Sequence, residues 1–465
     1  MVVFSKFQTI PTTCIEYVHP WTDSCTNSVV KIAIPAAKES FRLYAAVYML
    51  TLISRRRIPT KKDIKQILHG IAISTLFLFS NVCMVIAFGC LVRKVFGNYN
   101  VLTVGFVPAF LASYVAINLE RPSRRSLLAL YVTNVATETL FRMATWRGLV
   151  RSIPHSQVFI FATSITVLLY FYKGRKARHD SIYRLLRILV GPYEEKGYAE
   201  NREHVASLAS PSHAEHLEMV AQIPIEGKPR VVKYKILAVL YKLYHSLVKP
   251  VQNLSRHPTC PHPFSCTYYI LHGVGKMFAL GYGLQVCLQI GRLAHKPTLF
   301  PKLLIQKNTF RLGGFVAGFS GIFRLMSCLL RRFFNKDSKF HAIPAGLLAG
   351  LAFGFFSDNT IALYIMWKSL QIIYVDSIQK GYVPELPGAN ILLYSFSTAI
   401  LLHAALVEPQ NLRSSYWKFL YNISGSRIAV MNRKPLDAFG LGTSAALMEV
   451  LAKTGTSLVP YSELA

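Results

Sequence analysis

Between Ser126 and Trp146 runs an apolar string, SLLALYVTNVATETLFRMATW, long enough to cross a bilayer yet carrying Asn134, Thr137, Glu138 and Arg142. Tyr131, Asn134, Glu138 and Arg142 recur at three- and four-residue steps, so a helix places them on one face with Glu138 one turn before Arg142. An ionised pair at membrane depth needs a protein-lined or watery surrounding. The spacing therefore predicts a helix packed inside a bundle with its polar stripe facing inward. There the pair either neutralises itself and holds helices together or lines a pathway. Lys276, Lys368, Gln371 and Asp376 are the other polar groups at membrane depth, and Asn134, Glu138, Arg142, Lys368 and Gln371 form the expected intramembrane polar site.

A second set of reactive side chains precedes two of the apolar segments: Cys14, His19 and Cys25, then His257, Cys260, His262 and Cys266. Cysteine and histidine at these separations could bind zinc or form disulfides, but neither spacing is a compact CxxC pair, so ordinary loop residues are the base expectation and no metal site is assigned. A disulfide would also require an oxidising compartment. Cys83, Cys90, Cys287 and Cys328 lie within apolar stretches and read as small hydrophobes. The chain has no Walker loop, dinucleotide fingerprint, HExxH, GxSxG or kinase set, and none of its fourteen histidines is spaced to an acid as a general base. No catalytic residue and no cofactor is expected, and the chain reads as non-enzymatic. Asn422-Ile-Ser424 matches a glycosylation sequon, a pattern common by chance.

The elements that must position these residues are set by composition. The 465 residues are 52% hydrophobic and 16% charged, with a mean hydropathy of +0.34, too apolar for an ordinary soluble protein. Lys and Arg number 52 against 22 acids, and they sit in connectors between apolar segments, which suits anionic lipid headgroups and not nucleic acid. The N-terminus lacks an h-region with a cleavage site, so no removed secretory signal is expected. Spanning or near-spanning segments occur at about 35–54, 66–92, 101–119, 126–146, 156–172, 266–291, 309–330, 342–357, 359–379 and 389–407. The fold class is all-α and polytopic, with two repeated halves of about five hydrophobic helices each.

The halves are related in sequence. Cys90-Leu-Val-Arg-Lys-Val-Phe96 aligns with Cys328-Leu-Leu-Arg-Arg-Phe-Phe334, Pro108-Ala109 with Pro344-Ala345, Ala129-Leu130-Tyr131 with Ala362-Leu363-Tyr364, Ser181-Ile-Tyr183 with Ser414-Ser-Tyr416, and Cys25-Thr26 with Cys266-Thr267. Gln371 then stands where Glu138 does, so the polar site recurs without its acid. The expected organisation is a Cys/His-containing segment at 1–34, a first membrane repeat at 35–191, and a solvated linker at 192–256 with a basic amphipathic helix at 231–249. A second repeat follows at 257–425, then a tail at 426–465. Five crossings per half would invert the second half, but Lys and Arg crowd connectors on both sides, so charge does not choose the orientation. Gly314, Gly318, Gly346, Gly350 and Gly354, four apart within each run, predict close helix packing in lipid.

Several long strings resemble the transmembrane protein 135 family, also called a peroxisomal membrane protein. They are Ser113-Tyr-Val-Ala-Ile117, Glu120-Arg121, Ser123-Arg-Arg125, Ala136-Thr-Glu-Thr-Leu-Phe-Arg142, Ser415-Tyr-Trp-Lys-Phe-Leu420 and Ala429-Val-Met-Asn-Arg-Lys434; Cys14, His19-Pro20 and Cys25 are similar to its cysteine-rich start. The second half is more distantly similar to the glycine-rich four-helix family of mitochondrial translocase and peroxisomal membrane proteins. The resemblance implies a multi-pass protein of mitochondrial and peroxisomal membranes acting in mitochondrial fission, peroxisome organisation and lipid storage. Its implied partners are the bilayer and a dynamin-related fission GTPase, with oligomers allowed. A transporter or channel for a lipid-derived or small solute, built from the two repeats, is the alternative.

Overall fold

The computed structural model describes residues 8–54, 59–174, 181–195, 246, 248–293 and 306–460. Apart from one antiparallel two-residue pairing, β1 (Thr9–Ile10) with β2 (Tyr99–Asn100), the described elements are helical. In chain order they are α1 (Cys14–Tyr17), α2 (Cys25–Ser54), α3 (Lys61–Phe96), α4 (Phe106–Ile117), α5 (Pro122–Trp146), α6 (Ser156–Gly174), α7 (Ser181–Val190), α8 (Cys266–Leu293), α9 (Lys307–Phe334), α10 (Ala342–Gly350), α11 (Asn359–Gln379), α12 (Ala389–Val407), α13 (Ser414–Ile423), α14 (Arg427–Val430) and α15 (Thr443–Thr454). Local chemistry fixes several ends. Thr60 and Asp63 close a reciprocal capping box at the start of α3, Gly97 ends it at φ 71°, and Pro122 opens α5, where its missing N–H costs nothing.

Among the described residues six segments are long and apolar enough to cross a membrane: Lys61–Phe96, Ser156–Gly174, Asn308–Phe334, Lys339–Phe356, Asn359–Gln379 and Ala389–Val407. The expectation of ten is corrected accordingly. Residues 101–119 hold only the 12-residue α4, which at 1.5 Å per residue reaches about 18 Å, short of a hydrocarbon core of about 30 Å. In α5 the polar residues Asn134, Thr137, Glu138 and Arg142 dilute the apolar run, and α2 carries Lys31, Lys38, Glu39 and Arg42. Residues 196–230 of the expected linker, and nearly all of the expected amphipathic helix at 231–249, lie outside the described residues.

The chain divides into two compact units, Met1–Ser152 with Ser377–Ala465, and Ile153–Asp376. In the first, α3 packs on α2 and α4, and α12 packs on α4 and α5. Its core includes Tyr17, Phe77, Tyr99, Ile117 and Trp417, all almost fully buried. The C-terminal strings fold onto the N-terminal segment here: the Asn432 amide donates to the Tyr17 carbonyl at 3.2 Å, and buried Arg433 donates to the carbonyls of Ala405 and Ile428 at 3.1 and 3.0 Å. In the second unit α8 pairs with α9, and α10 packs on α6 and α9. Its core stacks Phe161 on Phe353 at 4.2 Å beside Leu168, Leu169, Phe319 and Phe323.

These units cut across the halves expected at 35–191 and 257–425. Helix α6 packs with α10, whereas α12 packs with α4 and α5. Of the five glycines expected at helix contacts, two make them. A Cβ at Gly350 would lie 2.5 Å from Ala162 Cα, and one at Gly346 would lie 3.0 Å from Thr166 Cα, so α10 and α6 meet backbone to backbone. Nothing lies within 4 Å of such an atom at Gly314 or Gly354, and at Gly318 it would make ordinary contact with Ala352 at 3.4 Å. A contact not read from the spacing joins α8 to α9, where a Cβ on Gly281 would fall 2.9 Å from Gly313 Cα.

Candidate functional site

Only the middle of the expected stripe on α5 is buried: Asn134 and Glu138 are almost excluded from solvent, whereas Tyr131 and Arg142, one turn to either side, reach the exposed surface of the helix. Arg142 Nη2 lies 2.6 Å from Glu138 Oε1, and Arg413, the residue before α13, takes the other carboxylate oxygen. One turn on, Arg147 pairs with buried Glu408, which also accepts from Asn411 Nδ2 at 2.9 Å. Helix α5 and the 408–413 loop therefore exchange acid and base in both directions, inside the first unit. No local pattern in the sequence joins Arg413 to Glu138, because the two stand 275 residues apart. Lys368 and Gln371 belong to the second unit, where Lys368 Nζ donates to Gln371 Oε1 at 3.0 Å. The five expected polar residues are thus divided between two units. The geometry supports a structural role for Glu138: Arg413→Met is expected to lower stability by about 1–3 kcal/mol, the cost of leaving one carboxylate oxygen without its charged donor, measured as the thermal midpoint in detergent.

Among the described residues a deeply buried charge cluster lies in the second unit, where the sequence suggests the start of a solvated linker. Glu194, in the short turn Pro192–Glu194 after α7, is 2% exposed and accepts a two-pronged bond from Arg331 of α9, Nη1 to Oε1 at 2.9 Å and Nη2 to Oε2 at 2.5 Å. Asp337 binds Arg331 Nε at 3.0 Å and Lys173 Nζ at 2.8 Å. The fork satisfies both carboxylate oxygens, which a buried ion pair requires to be retained. Burial alone raises the Glu194 carboxyl, but Arg331 and then Lys173 outweigh it and hold the pKa at about 2.

A cavity of about 540 Å³ runs through the first unit. Its walls along α3 extend from Phe77 to Gly89 and along α12 from Tyr394 to Leu406. Twelve helical rises separate the two ends of each wall, so the slot is about 18 Å long. The lining is apolar apart from a few groups, among them Asn81, Arg124 and Arg427, while Asn134, Glu138 and Arg142 do not line it. Arg124 is held by the Tyr48 and Ser74 hydroxyls, each at 2.7 Å, so its charge is fixed in place.

Two groups of ligand-type side chains also converge, one in each unit: Cys14, His19, Cys25 and Cys90, and Cys260, His262, Cys266 and Cys328. Cys90 and Cys328, expected to be core hydrophobes, complete these groups; their distance along the chain from the other members concealed it.

Residues 11–145 match the family model described as the N-terminal cysteine-rich region of Transmembrane protein 135. The match supports the transmembrane protein 135 family for this chain. No solved structure matches it.

Proposed function

We propose that this chain, a multi-pass membrane protein of the transmembrane protein 135 family by the match over 11–145, is a non-enzymatic protein of mitochondrial and peroxisomal membranes. It binds a lipid chain and regulates mitochondrial fission, peroxisome organisation and lipid storage through protein partners, a dynamin-related GTPase among them. The observation that carries the lipid part of this reading is the slot in the first unit. Its volume, about 540 Å³, lies within the range of about 300–1,000 Å³ over which small ligands are enclosed. Its length suits an extended acyl chain, its walls are mostly apolar, and its polar groups include the cations Arg124 and Arg427 beside Asn81 and hydroxyls such as Thr398, Ser415 and Ser424, donors that an anionic headgroup requires. Filling the slot tests the reading. In Leu402→Trp, binding of a fluorescent fatty acid to the purified protein should fall at least tenfold with the thermal midpoint retained; unchanged binding overturns it. Flux of fatty acids or ions in proteoliposomes that disappears in Glu138→Gln would establish the transporter alternative instead.

A further inference from the structure

The two Cys/His groups share one construction. In the first, Cys14 opens α1, Cys25 is the first residue of α2, and Cys90 lies near the end of α3, the helix that packs against α2. In the second, Cys260 and His262 precede α8, Cys266 is its first residue, and Cys328 lies near the end of α9, its hairpin partner. Each group therefore ties the start of one long helix, the end of the next and the segment leading in. Local chemistry prepares the first: Thr13 and Glu16 form a reciprocal capping box that fixes the turn bearing Cys14, and Arg93, one turn past Cys90, grips the carbonyls of Pro11 and Thr12 at 2.9 and 2.7 Å.

The distances separate two chemistries. All four ligand atoms in each group lie within 4.8 Å of one another, with Cys14 and Cys25 sulfurs 3.5 Å apart, Cys260 and Cys266 sulfurs 3.8 Å apart, and Cys328 Sγ 3.6 Å from His262 Nε2. A disulfide would bring two sulfurs to about 2.0 Å. Four ligands at about 2.3 Å around one tetrahedral ion stand about 3.8 Å apart. The cysteines are free thiols, and the spacing is that of ligands around a single ion.

The histidines carry the independent observation. His19 is fully buried; its Nδ1 hydrogen-bonds the Thr22 carbonyl at 2.9 Å, and its Nε2 has no hydrogen-bond partner among the described residues. His262, 1% exposed, repeats the arrangement: Nδ1 meets the Phe264 carbonyl at 2.7 Å and Nε2 turns to the thiols. A carbonyl on Nδ1 fixes the tautomer that offers the Nε2 lone pair, as around histidines that bind metal. A buried Nε2 left without a partner is costly in any other role.

We propose that each unit holds one zinc ion, bound by Cys14, His19, Cys25 and Cys90 in the first and by Cys260, His262, Cys266 and Cys328 in the second. All four coordination positions are taken by protein, so the ions are structural staples of the helix hairpins and not hydrolytic centres. Binding exchanges each thiol proton for the ion and releases it to solvent, with no change of oxidation state.

The test is elemental analysis of the full-length protein purified in detergent without chelator. Two zinc per chain are expected, with one lost in Cys90→Ser and one in Cys328→Ser. Cys83→Ser, outside both groups, should keep two. His19→Cys and His262→Cys should also keep two, because a thiolate replaces the imidazole; a packing role would not reproduce that. In the native protein only Cys83 and Cys287 should react with a thiol reagent until a zinc chelator exposes six more. Protein with no bound metal, with iron in place of zinc, or with Cys14–Cys25 and Cys260–Cys266 disulfides overturns the proposal. None of these readings depends on lipid binding, so the zinc sites and the lipid slot stand or fall separately.

Discussion

Arg331→Leu will destabilise the protein by about 3–5 kcal/mol, because it removes the guanidinium fork and leaves Glu194 as a buried carboxylate with Lys173 at 3.6 Å as its remaining cation. The thermal midpoint in detergent should fall sharply. Replacing both partners, Glu194→Gln with Arg331→Met, should recover much of the loss, since the expensive state is the unpaired charge and not the absent bridge. The same cluster sets a pH dependence. Glu194 carries a pKa of about 2 when folded against an ordinary value of 4.5, so its stabilisation is present in full above about 4.5 and is lost as pH falls towards 2. Unfolding midpoints followed from pH 6 to pH 3 should decline in the native protein, and the decline should flatten in the double variant. A slope unchanged by those substitutions would assign acid sensitivity to other carboxylates.

Gly350→Val is the second large effect. The first atom of the new side chain would stand 2.5 Å from Ala162 Cα and 2.6 Å from Ala162 Cβ. Those are backbone and near-backbone atoms, which no rotamer change can move. Helix α10 must then separate from α6, breaking up the contacts of Ala345, Ala349 and Phe353 with Phe161, Ile165 and Leu169. The cost should exceed the roughly 1–3 kcal/mol of ordinary overpacking, and loss of the folded species on size exclusion is the expected readout. Gly354→Ala is the control. It has open space around it and should change the midpoint little.

The same contrast shows how far sequence reasoning reached. Spacing of four offered five candidate contacts, Gly314, Gly318, Gly346, Gly350 and Gly354, of which Gly346 and Gly350 meet a neighbouring backbone closely. Which of them face a neighbour depends on the rotation of each helix about its axis, and that is set by packing partners far away in sequence. The pair of Gly281 and Gly313 had no run of glycines to announce it. On α5 the periodicity placed Asn134 and Glu138 on one buried face with Arg142 at its exposed end, yet Arg413, which takes the second Glu138 oxygen, is brought there only by the folding of the 408–413 loop against the helix.

What the sequence by itself determined is the class of molecule: a helical chain apolar enough to lie in a membrane, whose polar residues at depth must find partners, and whose residues 11–145 match the cysteine-rich family model. Those conclusions follow from composition and from periods of three and four, which are local quantities. Tertiary structure alone decided that α6 packs in one unit and α12 in the other, that Glu194 is a buried anion although it opens an acid-rich stretch, and that Cys90 and Cys328 join thiols more than sixty residues away. Each of these is a meeting of residues distant in the chain. Their free energy lies in desolvation and pair geometry, which no local pattern encodes.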